Sequence, residues 1–151
     1  MITEAARTLI ETWRLGFVAT ADAGGRVNVS PKGTFIVVDD ETLAFAEMRS
    51  PNTVRNIRVR PEVEINFVDI LSRKGVRLRG DARLENRGSA TFDRLLPDFA
   101  ELWPDLTDMF NAAVLVEVST CRPLMSPVYE QGAAEAELRA LWKQKIQDLP
   151  A

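Results

Sequence analysis

Two apolar runs joined by a tight turn constrain this chain more than any other feature. Gly16-Phe17-Val18-Ala19-Thr20-Ala21 reads as a strand, Ala23-Gly24-Gly25 as a turn, and Arg26-Val27-Asn28-Val29-Ser30 as the returning strand with Val27 and Val29 on one face. So short a connection can join only antiparallel neighbours, because parallel strands need a crossover of a dozen or more residues. The pattern repeats at once. Phe35-Ile36-Val37-Val38 and Thr42-Leu43-Ala44-Phe45-Ala46 flank Asp39-Asp40-Glu41 as a second hairpin. The opening is thus an antiparallel meander, and a doubly wound parallel sheet is not expected.

The helices are placed by their stop and start signals. Thr3 can cap a first helix whose apolar positions Ile2, Ala6, Leu9, Ile10 and Trp13 fall at helical spacing and end near Gly16. Ser50-Pro51 starts another, serine being a favoured cap and proline a favoured first helical residue. Val54 and Ile57 give it a short buried face, and Pro61 ends it by Arg60. Strands are expected from Glu62 to Val68 and from Gly75 to Leu84, the second with a bulge at Gly80-Asp81. Residues 89–110 have helical spacing interrupted at Pro97 and Pro104. Ala113 to Val118 forms a last strand, and residues 133–149 a closing helix with Ala134, Leu138, Leu141, Trp142 and Leu149 inward. About six antiparallel strands with flanking short helices predict a single barrel-like α+β, mainly β, domain over 1–151.

Composition narrows the function. The 151 residues are 46% hydrophobic and 27% charged, ordinary for a soluble domain that needs no disulfide, and the lone Cys121 cannot form one internally. Residues 1–15 carry Glu4 and Glu11 and lack the apolar core of a signal peptide, and no apolar run approaches the roughly 20 residues of a membrane helix, so a cytoplasmic protein is expected. A net charge of −3 argues against general nucleic-acid binding. Yet Met48 to Pro61 holds Arg49, Arg55, Arg58 and Arg60 with no acid, which reads either as solvated surface or as a local anion site in an otherwise acidic protein. The chain contains no histidine. That removes nearly every transition-metal site, a haem-histidine ligand, and Ser-His or Cys-His nucleophile chemistry.

Two segments offer the right groups for an anion. Ser30-Pro31-Lys32-Gly33 supplies a hydroxyl, an ammonium and backbone amides beside a glycine. In Ser50-Pro51-Asn52-Thr53, capping by Ser50 would leave the first-turn N–H groups of Asn52 and Thr53 at the positive end of a helix dipole, with Arg49 and Arg55 alongside. Either alone is also an ordinary turn or cap. Their order and spacing together carry the information.

On those residues the chain resembles the FMN-binding split barrels related to pyridoxamine 5′-phosphate oxidase, from about Leu15 to Leu84. Ser30-Pro31-Lys32-Gly33 is similar to the segment that meets the isoalloxazine and ribityl chain in that family. Asn52-Thr53, with Asn56-Ile57 on the same helix, resembles its phosphate-holding helix start, and Val76-Arg77-Leu78-Arg79-Gly80 its Val-Arg-Val-x-Gly strand. The resemblance implies a six-stranded antiparallel Greek-key split barrel, FMN as cofactor, and a homodimer with each flavin in a cleft between subunits. It implies contacts from Ser30, Pro31, Lys32, Gly33, Arg49, Ser50, Asn52 and Thr53, and from residues of the C-terminal third such as Trp142 across the dimer. The chain departs from the oxidase proper in having Asn52-Thr53 where that enzyme has an Arg-Lys pair, and no Arg-x-His signature. Pyridoxamine phosphate oxidation is therefore not expected. The expected function is an FMN-dependent oxidoreductase acting on an unidentified small molecule. The alternatives are a non-catalytic flavin-binding protein, a deazaflavin (F420) reductase, and a barrel that has lost its cofactor and serves as a dimeric interaction module.

Overall fold

A computed structural model describes residues 1–150. The chain runs α1 (Glu4–Trp13), β1 (Gly16–Ala21), β2 (Val27–Lys32), β3 (Phe35–Val37), β4 (Thr42–Glu47), α2 (Pro51–Val59), β5 (Glu62–Asp69), β6 (Lys74–Asn86), α3 (Ala90–Leu102), β7 (Ala112–Met125) and α4 (Glu135–Gln147). Short 3-10 turns cover Pro104–Met109 and Pro127–Gln131. The strands form one antiparallel sheet in the order β2-β1-β5-β6-β7-β4-β3. Each of the seven runs named from the sequence forms one strand, one more than the six of the split barrel that the resemblance implied, and β6 and β7 run longer than their apolar segments.

The two edges of this sheet are β2 and β3, yet only Gly33 and Thr34 lie between them in sequence. Three peptide steps reach at most about 11 Å. The sheet must therefore curl until its edges nearly meet, which makes a split barrel. Phe35 of β3 accordingly packs edge-on to Phe67 of β5 with ring centroids 4.6 Å apart. Gly16 lies beneath both rings, and a Cβ there would come within 2.7 Å of each.

The barrel interior is a core of Val18, Phe35, Leu43, Phe45, Ile65, Phe67, Leu78 and Val116, closed at one end by Ile2, Ala6 and Ile10 of α1 and also holding Ile57 of α2. The Thr3 hydroxyl accepts the Ala6 N–H as the cap of α1. A second core forms outside the barrel, where Phe92, Leu95 and Phe99 of α3 pack on Ile36, Ala44, Ala113 and Leu115. Pro97 does not interrupt α3 as its sequence suggested. Its missing N–H leaves only the carbonyl of exposed Asp93 without a helical partner, on the solvent side, where water can serve it. Pro104 does end the helix. The bulge falls between Arg79 and Gly80, where the backbone carbonyl of Glu117 occupies the space of a Cβ, so only glycine fits.

α4 differs from its expected form. None of its residues is buried, and Leu141 and Leu149 face solvent. Polar links hold it instead. Glu135 pairs with Lys74 at 2.6 Å, Arg139 with Asp69 at 2.5 Å, and the Arg73 guanidinium lies 3.7 Å over the Trp142 ring. No helix among the described residues is long and apolar enough to cross a membrane.

Candidate functional site

The site follows from one inverted strand. Along β2 the apolar residues Val27, Val29 and Pro31 are exposed while Asn28, Ser30 and Lys32 are half-buried. Pro31 can sit inside a strand because β2 is an edge whose outer ladder is unused. The polar residues pair in register with Thr20, Val18 and Gly16, so they share the inner face of the hairpin. They look towards α2, which follows β4 in the chain and packs against β1, β2 and β6. Ser30 and Lys32 thus belong to the strand itself rather than to a turn after it.

The start of α2 is where the two sequence segments meet. Asn28, Ser30, Arg49, Ser50, Asn52 and Thr53 line one open cavity of about 140 Å³. Pro51 occupies the first helical position, as its type suggests. Ser50 does not cap the helix with its side chain. Both its N–H and its hydroxyl donate to Glu47 Oε1, at 2.6 and 2.9 Å. Glu47 is buried at the end of β4 and competes for the hydroxyl that would otherwise have capped. The consequence favours a ligand. Among the described residues the N–H groups of Asn52 and Thr53 make no hydrogen bond, and no side chain fills the anion position at the helix end.

The remaining donors are arranged around that position. Thr53 is fully buried, and its Oγ1 accepts a 3.4 Å bond from Asn28 Nδ2, leaving its own proton free to donate. Lys32 Nζ donates to Ser30 Oγ at 2.6 Å. Burial lowers the Lys32 ammonium below the ordinary lysine value, with the Glu47 carboxylate opposing the shift. Arg49 is exposed and makes no ion pair among the described residues. Arg55, placed beside this cavity by sequence, instead donates to Asn52 Oδ1 at 2.9 Å and lines the neighbouring one. Gly33 is exposed, and a Cβ there would meet nothing within 4 Å. Trp142 is not part of this cluster within the chain; it lies on α4 between Arg73 and Lys145. Asn28 and Glu47 were missed in the sequence. Asn28 could have been found from its place in the period-two alternation with Ser30 and Lys32, whereas nothing local marks Glu47.

Hydroxyls, a guanidinium and two free amides converging on a small open cavity, with the Lys32 ammonium bonded to the Ser30 hydroxyl in its wall, suit a phosphoryl group. With a split barrel behind them they define a class of protein, a split barrel with an anion-suited cavity beside an open helix start. Residues 2–123 match the family described as Pyridoxamine 5′-phosphate oxidase, and the chain belongs to that family. No curated protein matches its sequence. The crystal structure of HupZ from Group A Streptococcus is similar at 28% identity and TM-score 0.71, covering 83% of this chain and 96% of that one. An FMN-binding protein from Syntrophomonas wolfei subsp. wolfei shares the fold at 18% identity and TM-score 0.69, covering 83% and 87%. HutZ, described as the heme storage protein from Vibrio cholerae, shares it at 18% identity and TM-score 0.67, covering 82% and 94%.

Proposed function

We propose that this chain is an FMN-binding flavoprotein, an oxidoreductase of a small molecule, with the flavin phosphate at the start of α2. The observation that carries this reading is the unfilled helix end, where the Asn52 and Thr53 amides stand free beside the Thr53, Ser30 and Ser50 hydroxyls. Lys32 or Arg49 supplies the countercharge, and the polar face of β2 through Lys32-Gly33 leads from the phosphate towards the ring. The donor set fits the group: an aromatic cofactor with one phosphate needs charge-assisted bonds at one end and a dry flank at the other. When bound, the flavin would supply the redox chemistry, and the protein's part is to hold and orient it. The name of the Syntrophomonas wolfei relative supports FMN. A haem reading finds less support, because this chain has no imidazole to offer an iron.

The working unit is a homodimer. The outer face of β1 and β2 presents Phe17, Val27, Val29 and Pro31, with Val27 67% and Val29 59% exposed, while α3 covers the outer face only at β4 and β7. An apolar stripe beside a ligand site is the kind of surface a second copy covers. The reaction is placed in the cytoplasm. The visible spectrum of the purified protein, recorded with and without added FMN, tests the central reading. A perturbed flavin spectrum at one FMN per chain is expected. A colourless protein that leaves the spectrum of added FMN unchanged overturns it.

A further inference from the structure

The phosphate cavity does not end at Asn28 and Asn52. A second cavity of about 270 Å³ shares both residues and continues along β2 to the β1–β2 turn, lined by Asp22, Arg26, Val27, Arg55 and Asn56. Three features mark it as built rather than incidental. Asn56 is 2% exposed, its Nδ2 donates to Thr20 Oγ1 at 3.1 Å, and its Oδ1 is buried with no hydrogen-bond partner. An unpaired buried oxygen is costly and calls for a donor. Arg26 and Arg55 carry no ion pair among the described residues, so two guanidinium groups are available to one anion. The turn is also fixed in place. Asp22 Oδ1 accepts the Gly24 and Arg26 N–H groups, each at 2.9 Å, and Arg60 reaches the Ala23 carbonyl at 3.2 Å.

The order of groups along β2 gives the ligand's chemistry. Passing from Lys32 through Ser30 and Asn28 to Arg26, a flavin laid on this face meets its ring position first, then its phosphate, then the second cavity. A phosphomonoester would stop at the start of α2. A pyrophosphate ester would continue, and what it meets next is a pair of arginines for the second phosphate, then a carboxylate and an amide oxygen that accept from hydroxyl groups. We propose that this cavity is a second subsite taking the nucleotide half of a dinucleotide flavin, its second phosphate on Arg26 and Arg55 and its ribose hydroxyls on Asp22 and Asn56. The proposal rests on the flavin reading above and extends it from the mononucleotide to FAD.

Riboflavin, FMN and FAD titrated against the purified chain by calorimetry test it, with the double variant Arg26→Gln/Arg55→Gln beside the parent. Both arginines are exposed and belong to neither core, and circular dichroism checks that the variant folds. FAD should bind at least as tightly as FMN. The variant should weaken FAD tenfold or more while FMN changes by less than twofold. FMN binding with FAD tenfold weaker overturns the second subsite and leaves the flavin site standing. A variant that weakens both flavins equally, or neither, also overturns it. If no flavin binds at all, the flavin reading fails and this extension with it.

Discussion

Thr53 is the residue whose side chain most directly joins fold and site. It is fully buried, accepts from Asn28, and keeps a hydroxyl proton free beside two unpaired amides. A hydrogen bond to a charged acceptor is worth roughly 1.5–3 kcal/mol. Thr53→Val keeps the shape and removes that bond, so FMN affinity should fall tenfold or more while riboflavin affinity is unchanged. Equal loss for both ligands in a fluorescence titration would place the phosphate elsewhere. Lys32 adds a pH signature. Burial lowers its ammonium from the ordinary value of 10.5, so its charge is lost earlier in alkali than that of an exposed lysine. FMN affinity should therefore stay level from about pH 7 to 8, there being no histidine to titrate, and fall on the alkaline side below the usual lysine range. Lys32→Met should abolish the alkaline fall. If the fall persists in that variant, another group supplies the charge.

At the scale of elements, α2 and α4 show opposite relations between sequence and structure. The start of α2 was legible because Ser50-Pro51 sets backbone geometry locally, but its free helix end was not, since Glu47 takes the Ser50 hydroxyl from a strand end. The apolar positions of α4 suggested a buried helix. In the structure it is held by a clasp in which Glu135 joins Lys74 and Arg139, and Arg139 reaches Asp69. Burial alone would raise the Asp69 carboxyl, but the Ser72 hydroxyl and N–H, the Leu71 N–H and Arg139 outweigh it and hold it below its usual value. Glu135 is lowered by its bonds from Lys74 and Arg139. Carboxyls lowered in the folded state add stability above their unfolded pKa, and that stability is lost as pH falls through the folded value. The clasp should hold at neutral pH and loosen below about pH 4. At pH 7, Arg139→Gln should raise amide exchange across residues 135–147 several-fold and leave β4 and β7 unchanged. Unaltered exchange in α4 would show that the clasp is not what holds it.

The whole molecule is asymmetric in its covering. α1 plugs the barrel and α3 packs on the outside of β4 and β7, whereas the outer face of β1 and β2 has no helix on it. On that face Phe17 lies opposite Pro31, and Ala19 opposite Val29. Covering a valine fully stabilises by roughly 1.5–3 kcal/mol, so a few such residues matter to an assembly. Val29→Arg should convert the proposed dimer to a folded monomer in light scattering, because the substituted side chain is exposed and disturbs neither core. A dimer mass retained by that variant would move the interface to another surface.

The sequence by itself determined the antiparallel class, the positions of α1 and α2, the bulge at Gly80 and the two polar segments that meet at one cavity. These are local facts: period-two alternation, proline and glycine geometry, and caps act over a few residues. The union of Ser30 with Thr53 and the burial of Asn56 against Thr20 were decided by tertiary structure alone. Each depends on the sheet curling so that β2 and β3 become facing edges, a closure imposed by the two-residue link at Gly33-Thr34 together with the packing of Phe35 on Phe67. Contacts between residues such as Asn28 and Thr53, or Thr20 and Asn56, exist only once that closure has brought distant segments together.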